Sequence, residues 1–270
     1  MKLAEAMGLT LHGQGEKTVL LGHGFGTTQA TWAHQIPALV QAGYRVACFD
    51  MAGATPASEA LFDPARHGSL YGFAEDLLGL VREARLDNVH YVGHSVAGMV
   101  GLLAGNAAPE LIRSLVLIGA SAHYVDDPAT DYQGGFSPEQ VTGLLAAMRE
   151  NHAAWANGFA PLAMGQPNRP ELALEFSRSL QNLRPDIAWK TFSVILTSDH
   201  RAEAAANTLP TWLLQTEQDV AVPDAAARWL ARACRARALH IIPTTGHFPQ
   251  RSAPEAVNRT LLEVLDRATA

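Results

Sequence analysis

The chain has 270 residues, of which 48% are hydrophobic and 17% charged, and its formal net charge is −6. That apolar content supports a sizeable core and excludes a disordered chain, while the lack of any long Lys/Arg run argues against a nucleic-acid partner. Two cysteines, Cys48 and Cys234, are too few for a disulfide framework or a cysteine-based metal site.

Residues 1–11 lack the basic start and long apolar run of a signal peptide, so the expected setting is the cytoplasm. Residues 18–21 form a short apolar strand pattern ended by Gly22-His23-Gly24, and a helical pattern follows over 31–42. A second strand pattern, 45–49, ends at Asp50 and leads to a helical stretch over 70–84. Residues 89–92 form a third strand pattern, ended by Gly93, with a helix over 96–107. The stretch 88–109 is long enough to span a membrane, but Gly93, His94, Ser95, Gly98 and Gly101 interrupt it, and strand–turn–helix is the better reading. Strand patterns at 112–118, 211–215 and 239–242 follow, with helices over 224–234 and 254–268. Short buried strands alternating with helices predict an α/β fold, a mostly parallel sheet flanked by helices.

One segment breaks the alternation. Ser137-Pro138-Glu139-Gln140 carries the spacing of a capping box with Pro at the first helical position. Helical patterns follow over 152–164, 171–183 and 185–197, with Pro170 and Pro185 marking starts. This predicts a division into a core (1–120 and 206–270) and a helical lid (121–205).

The sharpest motif is Gly93-His94-Ser95-Val96-Ala97-Gly98, set between a strand and a small-residue helix. That is the context of a nucleophile elbow, where a serine hydroxyl projects from a tight corner. The usual fifth-position glycine is Ala97 here. A bare serine is a poor nucleophile and needs a base, which itself needs an orienting acid. His247, in Thr245-Gly246-His247-Phe248-Pro249, follows the last strand, where the base belongs; His240 lies within that strand and reads as structural. Asp219 projects from the end of the preceding strand and is the expected acid. Glu217 reads as solvated and Asp224 as a helix first-turn residue, while Asp126 and Asp127 are the alternative acids. Charge developing on the attacked carbonyl oxygen calls for backbone donors, expected from the Val96 and Phe25 N–H groups. His23 lacks partners at metal-ligand spacing, and no cofactor or metal is expected.

Four segments together resemble one subfamily: His23-Gly24-Phe25-Gly26, Gly93-His94-Ser95-Val96, Gln218-Asp219-Val220-Ala221-Val222-Pro223 and Gly246-His247. It holds the bacterial stress-response regulator RsbQ and the plant karrikin and strigolactone receptors. The predicted lid adds Asp131-Tyr132-Gln133-Gly134-Gly135-Phe136, the run 155–163 from Trp155 to Ala163, Glu175-Phe176-Ser177-Arg178 and Arg184-Pro185-Asp186-Ile187-Ala188. The resemblance implies an α/β-hydrolase fold with a four-helix lid inserted after the sixth strand. It also implies a Ser95–His247–Asp219 triad under that lid and a deep apolar pocket. Phe25, Phe136, Trp155, Phe159, Phe192 and Phe248 are the expected pocket residues. The implied chemistry is hydrolysis of a small hydrophobic ester, lactone or butenolide. A second life is signalling, with slow hydrolysis and output through a protein partner; the bacterial relative implies a phosphatase carrying a PAS domain. A lyase or C–C hydrolase is a third option, since one triad serves several reactions.

Overall fold

A computed structural model describes residues 2–269. Its strands are β1 (Thr10–His12), β2 (Thr18–Gly22), β3 (Arg45–Cys48), β4 (Val89–His94), β5 (Ile112–Ile118), β6 (Thr211–Gln218) and β7 (Ala238–Thr245). They form one sheet in the order β1-β3-β2-β4-β5-β6-β7. Only β1 runs antiparallel, pairing with β3; all other pairs are parallel. The central strands β2 and β4 are buried along their whole length, which explains their continuous apolar sequences.

Helices α1 (Leu3–Ala6), α2 (Gln35–Gln41), α3 (Leu70–Glu83), α4 (Val96–Ala107), α10 (Asp224–Ala233), α11 (Pro249–Ser252) and α12 (Pro254–Thr269) accompany the sheet. Side chains alternate along each strand, so the sheet has a separate core on either face. Leu20, Tyr91 and Leu117 point into the layer with α3 and α4. Val19, Leu21, Val92, Val116 and Ile118 point into the other, with Trp32, Leu39 and Leu261. The single helix expected over 31–42 is two pieces: a 3₁₀ turn over Gln29–Trp32, then α2. Pro37 stands in the first turn of α2, where its missing N–H costs nothing.

Between β5 and β6 the chain leaves the sheet for α5 (Pro138–Glu150), α6 (His152–Met164), α7 (Pro170–Gln181), α8 (Pro185–Thr197) and α9 (Arg201–Ala206). Their starts follow local chemistry. The Ser137 hydroxyl accepts from Gln140 N–H while the Gln140 side chain accepts from Ser137 N–H, a complete capping box. Asn151 caps α6, and Pro138, Pro170 and Pro185 each occupy a first helical turn. Two details differ from expectation. The insert follows the fifth strand, not the sixth; among the described residues ahead of β1, Leu3–Ala6 is helical and tucks Ala6 into the core. A short fifth helix, α9, also joins the four expected ones. Among the described residues no helix is long and apolar enough to cross a membrane.

Strand order reverses around β2, which has β3 on one side and β4 on the other. The loops leaving the carboxyl ends of β2 and β4 therefore diverge and leave a crevice between them, the usual ligand position in open parallel sheets.

Candidate active site

Ser95 occupies that crevice. It is the single residue between β4 and α4, and its backbone adopts φ 56° and ψ −125°, a costly geometry for a residue with a side chain. Small neighbours make the corner possible. A Cβ on Gly93 would come within 2.6 Å of the Ala97 carbonyl oxygen, and one on Gly98 within 2.7 Å of the Ala120 methyl. Ala97 fits where glycine is usual because the opposite residue, Gly22, gives up the space: a Cβ there would stand 3.1 Å from the Ala97 methyl.

The Ser95 hydroxyl lies 2.8 Å from His247 Nε2, and His247 Nδ1 lies 2.7 Å from Asp219 Oδ2. A carboxylate only accepts, so Nδ1 carries the proton and Nε2 offers its lone pair to the serine O–H. Asp219 is held in turn: Oδ1 accepts from Ala221 N–H at 2.8 Å and from Val222 N–H at 3.3 Å, and Oδ2 is 3.4 Å from the Gln215 amide. Its side chain is fully buried. Burial would raise its pKa, but the neighbouring imidazole and the two amides outweigh this and hold the carboxyl below the ordinary aspartate value. The alternative acids lie elsewhere: Asp126 accepts from Gly135 N–H, and Asp127 pairs with Thr130 and Arg201.

Two further histidines, His94 and His23, have roles around the site. The His94 Nε2–H donates to the His247 carbonyl at 2.7 Å, and its ring packs against those of His247 and Phe248. Burial, reinforced by the His247 ring, pushes the His94 pKa down to about 3, so the ring stays neutral at pH 7. The backbone of the base is also held by the insert, since the His247 backbone N–H donates to the Ala163 carbonyl of α6 at 2.7 Å. His23 Nε2 accepts from Met51 N–H, which leaves Nδ1–H to donate to the Gly24 carbonyl. That pair of bonds shapes the loop that carries Phe25, so His23 is an organiser of backbone. Val96 opens α4, and as first helical residue it has no carbonyl within the helix to receive its N–H.

Above Ser95 is a cavity with room for about 50 Å³ of solvent. Phe25, Phe136, Phe159, Phe192 and Phe248 line it. Trp155 does not. Its ring stacks flat on Phe159 at 5.0 Å and tilts against Phe192 at 5.2 Å, so those two rings stand between it and the cavity. Sequence reasoning missed Tyr124, Leu144, Phe176, Ile195, Leu196 and Ala221, which complete the wall. Tyr124 lies in an irregular stretch after β5 with no periodicity to mark it; burial raises its hydroxyl pKa, with a hydrogen bond to Ser95 working against the rise. Phe176 sits in a recognised motif, but the motif does not reveal which way its ring points.

The family model for the alpha/beta hydrolase fold matches residues 17–254. A petunia karrikin insensitive 2 receptor is 41% identical over 251 residues, covering 93% of this chain and 90% of the relative. The strigolactone esterase D14 of Arabidopsis thaliana is 37% identical over 266 residues, covering 98% of each. Among solved structures, a hydrolase from Oleispira antarctica superposes with a TM-score of 0.93 at 28% identity, covering 98% of this chain and 96% of that one. These likenesses run through both the sheet and the helices inserted in it, and so the chain belongs to the alpha/beta hydrolase fold family, in the branch of the karrikin and strigolactone receptors.

Proposed function

We propose that this protein is a serine hydrolase of small, neutral, apolar esters or lactones, butenolides included, with Ser95, His247 and Asp219 as its catalytic residues. One observation carries the reading: an unbroken chain of short hydrogen bonds from Ser95 through His247 to Asp219, opening on a cavity walled by phenylalanines. His247 takes the Ser95 proton as the oxygen attacks the carbonyl carbon. The carbonyl oxygen becomes an oxyanion, met by the N–H groups of Val96 and Phe25. Collapse expels the alcohol, protonated by His247, and leaves an acyl-serine. Water repeats the sequence and releases the acid. Asp219 stays ionised throughout and holds the imidazole's tautomer. The roof of the site is a lid, residues 121–205, on a core of 1–120 and 206–270.

The lining limits the substrate. No Lys, Arg, Asp or Glu lines the cavity, so a charged substrate would lose its hydration without compensation. The space holds only a few waters at roughly 15 Å³ each, so a larger ligand has to displace the rings of the roof. A fluorophosphonate probe should label the protein on Ser95 alone, with labelling and p-nitrophenyl acetate turnover both lost in Ser95→Ala. Folded protein that takes up the probe elsewhere, or not at all, refutes the mechanism.

The receptor names of the relatives support a second reading, in which ligand occupancy is read by a protein partner and hydrolysis is slow. The finer form of that reading, from the bacterial resemblance, is a PAS-containing phosphatase as partner. Co-purification that depends on ligand tests it. A cytoplasmic setting goes with either reading and is supported by Cys48 and Cys234 standing as buried thiols rather than as a disulfide.

A further inference from the structure

The Phe176 and Phe248 rings meet with centroids 4.5 Å apart, tilted by 56°. They form one wall of the cavity over Ser95, and the same two rings wall a second pocket on their far side. That second pocket has room for more solvent, about 140 Å³ against 50 Å³, and its lining mixes charged and hydroxyl groups, Glu175 and Arg251 among them, with apolar ones. Arg251 supplies a guanidinium there, and Thr28 and Thr31 supply hydroxyls. Thr28 Oγ1 accepts from Ala30 N–H and Thr31 Oγ1 from the Gln250 amide, so each hydroxyl keeps its own proton to donate. Arg251, on α11 of the core, is ion-paired with Glu175 on α7 of the insert. The Glu175 side chain is 57% exposed and can turn into water, whereas that of Arg251 is 23% exposed and stays at the pocket.

Hydrolysis changes the charge of what the apolar cavity holds. A neutral ester and water become an alcohol, a carboxylate and a proton: water oxygen bonds to the acyl carbon, the Ser95–acyl bond breaks, and the serine recovers its proton through His247. The new carboxylate then sits among phenylalanines, where an unpaired anion is unstable. We propose that the pocket beyond Phe176 and Phe248 receives this carboxylate product, with the two rings as the partition it passes and Arg251 exchanging Glu175 for the product anion. The inference rests on the hydrolase reading above. It makes product release break an ion pair between the insert and the core, so that chemistry and loosening of that contact are linked.

The test is calorimetric titration of the whole protein with sodium butyrate at constant ionic strength, with butyramide as the neutral control. Butyrate should bind and butyramide should not follow its pattern. Arg251→Gln should weaken butyrate at least fivefold, and Glu175→Gln, which removes the competitor, should tighten it severalfold. A merely structural ion pair would respond to both substitutions in the same direction, and that result overturns the proposal. So does equal butyrate binding in all three proteins, or none in the wild type. Fluorophosphonate labelling of the same wild-type preparation separates the two readings. A labelled Ser95 without carboxylate binding removes the product pocket and leaves the hydrolase. Butyrate binding without labelling removes the product assignment together with the hydrolase.

Discussion

His247 is constrained at four points: its two ring nitrogens by Asp219 and Ser95, its backbone carbonyl by His94 and its backbone N–H by Ala163. Asp219 matters chiefly by fixing the tautomer. Asp219→Asn presents an amide that can donate to Nδ1, which leaves the ring proton on Nε2, facing the serine, in the wrong tautomer. Turnover of p-nitrophenyl acetate should fall by about three to four orders of magnitude, with thermal stability little changed because the amide keeps the volume. Ser95, His247 and Asp219 were legible in the sequence because each sits within two residues of a strand's carboxyl end, where the fold presents side chains. Trp155 was misread and Tyr124 missed for a common reason. Spacing along a helix or loop says that an aromatic faces inward, not whether another ring, such as Phe159, comes between it and the cavity.

At the scale of elements, the strand-to-helix corner shows how closely backbone and side chains constrain each other. The Tyr91 hydroxyl donates to the Ala97 carbonyl at 3.0 Å, and Gly22 is bare because that hydroxyl fills its place: a Cβ would lie 2.1 Å from it. Gly22→Ala should therefore cost about 1–3 kcal/mol in urea unfolding and displace the helix that begins beside Ser95. The reverse relaxation, Ala97→Gly, should leave activity near wild type, since a glycine is what the corner ordinarily holds. Long elements with strong start signals were readable: the Ser137 box, Pro170 and Pro185 announce α5, α7 and α8. Short ones were not. Helices α1, α9 and α11 have four to six residues, too few for a periodicity to register, and they owe their shape to tertiary packing. The helix expected over 31–42 broke for a related reason, since Thr28 caps a separate turn ahead of it.

Over the whole molecule, buried neutral histidines set the response to acid. His94 is held down to about 3 and His90 to about 4, both first by burial, and His23 and His200 are lowered for the same reason. An unfolded chain takes up these protons below about pH 6.5, while the folded one does not, so stability falls as pH falls. For His94 the slope is on the order of 1 kcal/mol per pH unit between about 6 and 4. Asp219, depressed in the folded state, acts only below the ordinary aspartate range of about 3.9, where its contribution is lost in turn. Scanning calorimetry should show the melting temperature dropping from pH 6.5 to 4.5. The drop should be shallower in His94→Phe, although that variant starts lower for want of the bond to the His247 carbonyl. An unchanged slope would assign the acid response to other groups.

The bond from His247 N–H to Ala163 gives the roof a second duty. A swing of α6 wide enough to admit a bulky guest has to part with that carbonyl, and His247 is then held by Asp219, Ser95 and His94 alone. Loading a bulky guest would thus slacken the backbone of the very residue that must draw the serine's proton, while leaving both of its ring partners in place.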